Sequence, residues 1–159
     1  MRFAGLTYEQ TVKKYSDTVT KICIVRLQNW ADAEDCYQNT FVALFQNSTQ
    51  FESEEHLKAW LIRVCINECN DYLKKYRKSL SLDRDVKDIA FTLDEDKSDL
   101  SWALLQLKSK YRDIIYLHYY EGYKLEEIAD ILGLKLNTVK SLLKRGKDKL
   151  KFICGGEVL

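Results

Sequence analysis

Apolar side chains recur at steps of three and four along most of the chain. Tyr8, Val12, Tyr15, Val19, Ile22 and Cys23 form the first such stripe and predict an amphipathic helix over about 7–28. Asn29, Trp30 and Ala31 interrupt the period. Asp32 then precedes Ala33, Glu34 and Asp35, an acidic turn suited to a helix N-terminus, so a second helix is predicted over about 33–46. The polar run 46–50 can bond its own backbone and ends that pattern, and Ser53, Glu54, Glu55 and His56 offer a new cap before Leu57. A third long helix is predicted over about 54–77. Periodicity weakens across 79–98, which marks a domain boundary. Beyond it, Leu100 to Leu107, Tyr111 to Tyr120, Leu125 to Leu132 and Leu136 to Phe152 carry four more helical stripes separated by short breaks.

Composition supports an all-α reading. The 159 residues include six Gly and no Pro, which favours long helices and short turns over a strand-rich sandwich. The expected architecture is two small helical domains, 1–78 and 99–159, joined by a flexible acidic tether over 79–98. With 46% hydrophobic and 31% charged residues, the chain has enough apolar mass for a core and no sign of general disorder. No uncharged run approaches the roughly 20 residues needed to span a bilayer, and no export segment is visible, so a cytoplasmic protein without membrane insertion is expected.

The net charge of +1 hides an uneven distribution. Between 79 and 100, Arg84, Lys87 and Lys97 face seven acidic residues. Between 135 and 151, Lys135, Lys140, Lys144, Arg145, Lys147, Lys149 and Lys151 face Asp148 alone, a bias that suits a polyanionic partner. The same region reads as a helix-turn-helix over 125–145. Small Ala129 stands where two helices cross closely, Gly133 at the turn needs φ above zero, and Ile128, Leu132, Leu134, Val139 and Leu142 are the expected core positions. The second helix of such a unit lies in the DNA major groove, and Lys140, Ser141, Lys144 and Arg145 occupy its outward face. A helical hairpin with a solvated basic face is the competing explanation, but it requires neither the Ala-Gly-Val spacing nor so strong a bias of charge.

A helix-turn-helix alone also fits a stand-alone transcription regulator, so the first half of the chain must decide. DAEDCYQNTF, from Asp32 to Phe41, closely resembles the signature with which extracytoplasmic-function sigma factors grip the β′ clamp helices of RNA polymerase. The resemblance implies that Asp32, Glu34, Asp35, Gln38 and Phe41 carry that contact. Cys36, Tyr37 and Asn39 depart from the usual signature. Ala59, Trp60, Leu61, Arg63, Asn67 and Asp71 resemble the promoter-melting segment of the same family, in the same order and spacing. The last segment, TVKSLLKRGKDKL, is similar to the helix that reads the minus-thirty-five element. There Leu142 stands in place of the usual Arg, Lys135 in place of a capping Ser, and Gly146 in place of Ala, an exchange that costs a helix interior roughly 1 kcal/mol.

The resemblance implies a sigma factor that directs core polymerase to specific promoters and opens the DNA strands. Its partners would be RNA polymerase core, through the β′ clamp helices and the β flap, promoter DNA, and conditionally an anti-sigma factor. Lys140, Ser141, Lys144, Arg145, Lys147 and Lys149 are the expected minus-thirty-five contacts. Arg63, Asn67, Asn70, Asp71, Lys74, Lys75 and Arg77 are the expected minus-ten contacts, combining amides for base edges with a basic end for phosphates.

Enzyme readings fare worse. The sequence holds no Gly-rich phosphate loop, Ser-His-Asp set or HExxH motif, and the carboxylates of DAED suit a cap and docking face better than acid-base catalysis. Neither a catalytic group nor a cofactor is expected. Cys65 and Cys69 lie one helical turn apart with His56 upstream, but four ligands are not evident. Cys23, Cys36, Cys65, Cys69 and Cys154 are therefore expected to be reduced and mostly buried thiols, with no metal.

Overall fold

A computed structural model describes residues 1–76, 96 and 98–155. The chain divides into two compact units, Met1–Asp83 and Arg84–Leu159. Most of the expected tether, and Arg77 with it, lies outside the described residues.

The first unit begins with a feature the periodicity does not announce. Strands β1 (Arg2–Phe3) and β2 (Leu6–Thr7) pair antiparallel across Ala4 and Gly5, whose φ values of 50° and 86° are those of a tight primed turn. Thr7 ends the hairpin and caps the next element: its Oγ1 accepts from the Gln10 N–H at 3.1 Å, and its own N–H donates to Gln10 Oε1 at 2.9 Å. Helix α1 (Tyr8–Leu27) follows from that box.

Helix α2 (Trp30–Phe45) starts three residues earlier than the sequence suggests, because Asn29 and not Asp32 is the cap. Asn29 Oδ1 accepts from the Asp32 N–H at 3.0 Å, which places Trp30 inside the first turn. Helix α3 (Glu54–Tyr76) begins where Ser53 Oγ accepts from the His56 N–H at 3.1 Å. The three helices pack on one another, burying Tyr15, Val19 and Ile22 from α1, Ala33 and Leu44 from α2, and Leu57, Leu61 and Ile62 from α3.

In the second unit, helix α4 (Ser98–Leu105) leads into α5 (Ser109–Ile115). Buried Arg112 ties the two by donating from Nη1 to the carbonyls of Leu105 and Leu107, at 3.4 and 3.3 Å. The stripe expected to continue to Tyr120 instead widens into a π-helical turn over Tyr116–Tyr120, with the rings of Tyr116 and Tyr120 stacked 5.3 Å apart. Helices α6 (Leu125–Leu132) and α7 (Leu136–Cys154) complete the unit. The expected all-α class holds, with the short hairpin as its one addition among the described residues.

Candidate nucleic-acid interface

The helix-turn-helix forms where the sequence places it. Gly133 ends α6 with φ of 67°, and the Leu134 N–H reaches back to the Ala129 carbonyl at 2.9 Å. Ala129 is buried at the crossing, and Ile128 and Val139 are wholly buried. The expected core set needs correction elsewhere. Leu132 and Leu142 are half-buried and Leu134 is exposed, whereas Ile131 is buried: the αL residue at Gly133 redirects the chain, so Leu134 leaves the stripe.

Helix α7 is seated by Val139, Gly146 and Leu150, one face at steps of seven and four. Gly146 has a steric reason. A Cβ there would stand 2.9 Å from Ile115 Cδ1 and 3.2 Å from Tyr111 Cβ, so the missing side chain lets α7 lie close against α5. Lys140, Ser141, Lys144 and Arg145 are all exposed on the opposite face. Lys147 and Lys149 diverge from them: the Lys147 ammonium lies 5.9 Å from the Tyr119 ring centre and that of Lys149 lies 5.5 Å from the Tyr111 ring centre. Lys135 caps α7 without a side-chain bond, and no acidic residue stands in its first turn. The positive end of the helix dipole is thus left uncompensated by α7 itself.

In the first unit, Arg63, Asn67, Asp71 and Lys74 are exposed and follow one another at steps of four, four and three, a single face of α3. Asn70 is half-buried beside that face, and Lys75 is exposed with its ammonium 5.4 Å from the Tyr76 ring centre. Trp60 is half-buried against Phe51, with ring centres 5.5 Å apart.

Helix α2 presents Glu34, Asp35 and Gln38 to solvent. Glu34 and Gln38, with Trp30 and Tyr37, also edge a hollow floored by Thr20, Ile24 and Ala33. The remaining two signature residues sit differently. The Tyr72 hydroxyl of α3 donates to the Asp32 carboxylate, and this bond, ahead of burial, holds the Tyr72 phenol above its ordinary pKa. Phe41, expected at the surface, is only 4% exposed, because it shares the inward stripe with Ala33, Cys36, Thr40 and Leu44. Its ring packs on Tyr37 at 4.9 Å. The exposed apolar side chains nearby are Val42 and Phe45, at four and seven residues beyond Gln38, positions that a continued helical period reveals.

The cysteines of the first unit converge. Cys23, Cys36, Cys65 and Cys69 are buried, while Cys154 in the second unit is exposed. Hydrogen bonds from Cys23 and Cys69 pull the Cys65 thiol below its ordinary pKa, and the Cys23 thiol is pushed up by the same contact. His56 stands apart from them, its Nδ1 accepting from the Glu52 N–H at 3.2 Å.

Comparison with known proteins agrees with this arrangement. The family description "Sigma-70 region 2" matches residues 11–79, and "Sigma-70, region 4" matches residues 99–150. The RNA polymerase sigma factor SigV of Bacillus subtilis is 32% identical over 75% of this chain and 74% of its own. The ECF RNA polymerase sigma factor SigW of the same organism is 27% identical over 91% of this chain and 87% of its own. In fold, the chain is similar to the sigma factor RpoE crystallised with the anti-sigma factor NepR from Bartonella quintana, with a TM-score of 0.73, 23% identity and coverage of 95% of this chain and 98% of that one. No helix among the described residues is long and apolar enough to cross a membrane. With both sigma-70 regions present in order and relatives matched along most of its length, the chain belongs to the extracytoplasmic-function group of RNA polymerase sigma factors.

Proposed function

We propose that residues 1–78 dock on the polymerase β′ clamp and open the minus-ten element, that 99–159 hold the minus-thirty-five element and meet the β flap, and that 79–98 link the two. The protein directs core polymerase to specific promoters. The observation that carries this reading is the presence of both regions in one chain, since a stand-alone regulator needs only the helix-turn-helix.

Each role has physical support. Glu34, Asp35 and Gln38 are exposed together on α2, with Val42 and Phe45 extending the same side as apolar anchors, a combination that suits docking. Phe41 supports that helix from beneath, and Asp32 braces it against α3. On α3, Asn67 and Asn70 supply donors and acceptors for unstacked bases, while Arg63, Lys74 and Lys75 neutralise phosphates. On α7, Lys140, Ser141, Lys144 and Arg145 read the groove, while Lys147 and Lys149 flank it.

An anti-sigma factor acting on this chain would work by covering the α2 face and denying it to polymerase. The chain acts in the cytoplasm, where its template lies, and works by binding without catalysing a reaction of its own. Gel filtration of the full chain with core polymerase tests the reading: co-elution is expected, and DNA binding by the chain with no association with core would favour the regulator instead.

A further inference from the structure

The thiols of the first unit have no part in any of these roles. Cys23 of α1 and Cys65 and Cys69 of α3 are each 0% exposed, and their three sulfurs all lie within 4.8 Å of one another. The Cys23 and Cys65 sulfurs are 3.3 Å apart. An ion holding thiolates at about 2.3 Å sets its sulfurs about 3.8 to 4.0 Å apart, inside the range the trio already spans. Small apolar fillers would serve the core equally well from separate positions. Here three of the four buried cysteines meet at one point, and the fourth, Cys36 of α2, interacts with Cys69.

We propose that Cys23, Cys65 and Cys69 form a site for one soft, thiophilic d10 metal ion, Cu(I) or Zn(II), buried between α1 and α3. The donor set selects this class: three sulfurs without a carboxylate or imidazole among them disfavour Mg(II), Ca(II) and Mn(II). Three thiols alone suit three-coordinate Cu(I). Zn(II) requires a fourth ligand, and Cys36, which interacts with Cys69 but stands outside the group of three, would have to shift inward to supply it. Backbone carbonyls approach these sulfurs only at longer range, Val19 O at 3.8 Å from Cys65 and Glu68 O at 3.8 Å from Cys36. Because the site is closed, an ion enters as the unit folds, and its binding adds to folding stability. Bound there, it would clamp α1 to α3 behind the face that carries Arg63 and Asn67.

The test uses the full chain with Cys154→Ser, which removes the exposed thiol. The reduced protein is refolded anaerobically with Zn(II), Cu(I) or, as a spectroscopic probe, Co(II), then desalted. About one ion per chain, a raised unfolding temperature and a sulfur-to-cobalt charge-transfer band are expected. Retention of Cu(I) alone assigns the three-thiol site, and retention of Zn(II) that Cys36→Ala removes assigns the four-thiol one. Cys23→Ala and Cys69→Ala, with helical content checked by circular dichroism, should each abolish retention. Absence of retained ion and of the cobalt band in the Cys154→Ser chain overturns the proposal without reference to any core variant. So does retention that persists at one ion per chain in both folded core variants.

Discussion

Helices α3 and α7 both present a continuous polar face, yet their chemistry differs. Along α3 the exposed side chains Arg63, Asn67, Asp71 and Lys74 form one face, mixing an amide, a carboxylate and two cations. Along α7, Lys140, Ser141, Lys144 and Arg145 form the polar face, where exposed Asp148, four residues beyond Lys144, is the single acid beside three cations. Intact duplex offers a regular double row of phosphates, which rewards dense positive charge and a rigid helix. Separated strands offer base edges and faces, which reward amides and a lower charge density. Opposite to both in character stands the α2 face, acidic and apolar, the one proposed to meet a protein partner. One helical fold thus yields three kinds of surface according to what each outward stripe carries.

The sharpest way to break this division is at α2. Glu34→Arg with Asp35→Arg should lower affinity for core polymerase on the order of 100-fold, about 2.7 kcal/mol, while leaving the unfolding temperature of the first unit nearly unchanged. A binding titration with core polymerase, beside thermal unfolding, checks both halves of that expectation.

On α7, Arg145→Ala should cost roughly 1 to 3 kcal/mol on the cognate minus-thirty-five element and relax preference at one base pair. Equal losses on matched and scrambled elements in a holoenzyme binding assay would remove Arg145 from base reading. On α3, Asn67→Ala with Lys74→Ala should leave polymerase binding intact and reduce strand opening about tenfold, a loss of one stacked or bonded base being worth roughly 1 to 3 kcal/mol. Permanganate reactivity of thymines at the minus-ten element reads this directly, and normal reactivity would assign opening to other residues.

Two smaller effects sharpen the contrast. Lys149→Ala should weaken all sequences alike and lower the slope of log affinity against log salt by about 0.9, as expected when one phosphate is no longer neutralised. At Gly146, the ordinary gain of about 1 kcal/mol from Ala in a helix is opposed by crowding against Ile115. Gly146→Ala alone should therefore be neutral or slightly destabilising. In an Ile115→Val background, which removes Cδ1, the same change should stabilise by up to about 1 kcal/mol, as a double-mutant cycle of thermal unfolding would show.

Much of this was legible because helix period and surface chemistry are local properties. The stripes of α1, α3, α6 and α7 each sit within a few residues of their predicted bounds, and the outward four of α7 follow from spacing alone. What depends on side-chain bonding or on contacts distant in sequence was not legible. Asn29 outcompetes Asp32 as the α2 cap, and Ala4-Gly5 closes a hairpin without the usual Asn-Gly signal. Phe41 turns inward because it shares the buried stripe of α2 with Ala33, Cys36, Thr40 and Leu44. Cys23 is 42 residues from Cys65, so no short-range pattern brings them together. Gly146, which appears in sequence as a weakness in the helix, is where α7 comes up against Ile115 and Tyr111 of α5.

Run-off transcription by core polymerase, with and without the chain, on a library of promoter duplexes tests the central claim most directly. The account predicts initiation that depends on the chain, is confined to templates sharing one minus-thirty-five and one minus-ten element, and is abolished by Glu34→Arg plus Asp35→Arg. Chain-independent initiation, or initiation indifferent to template sequence, would contradict it.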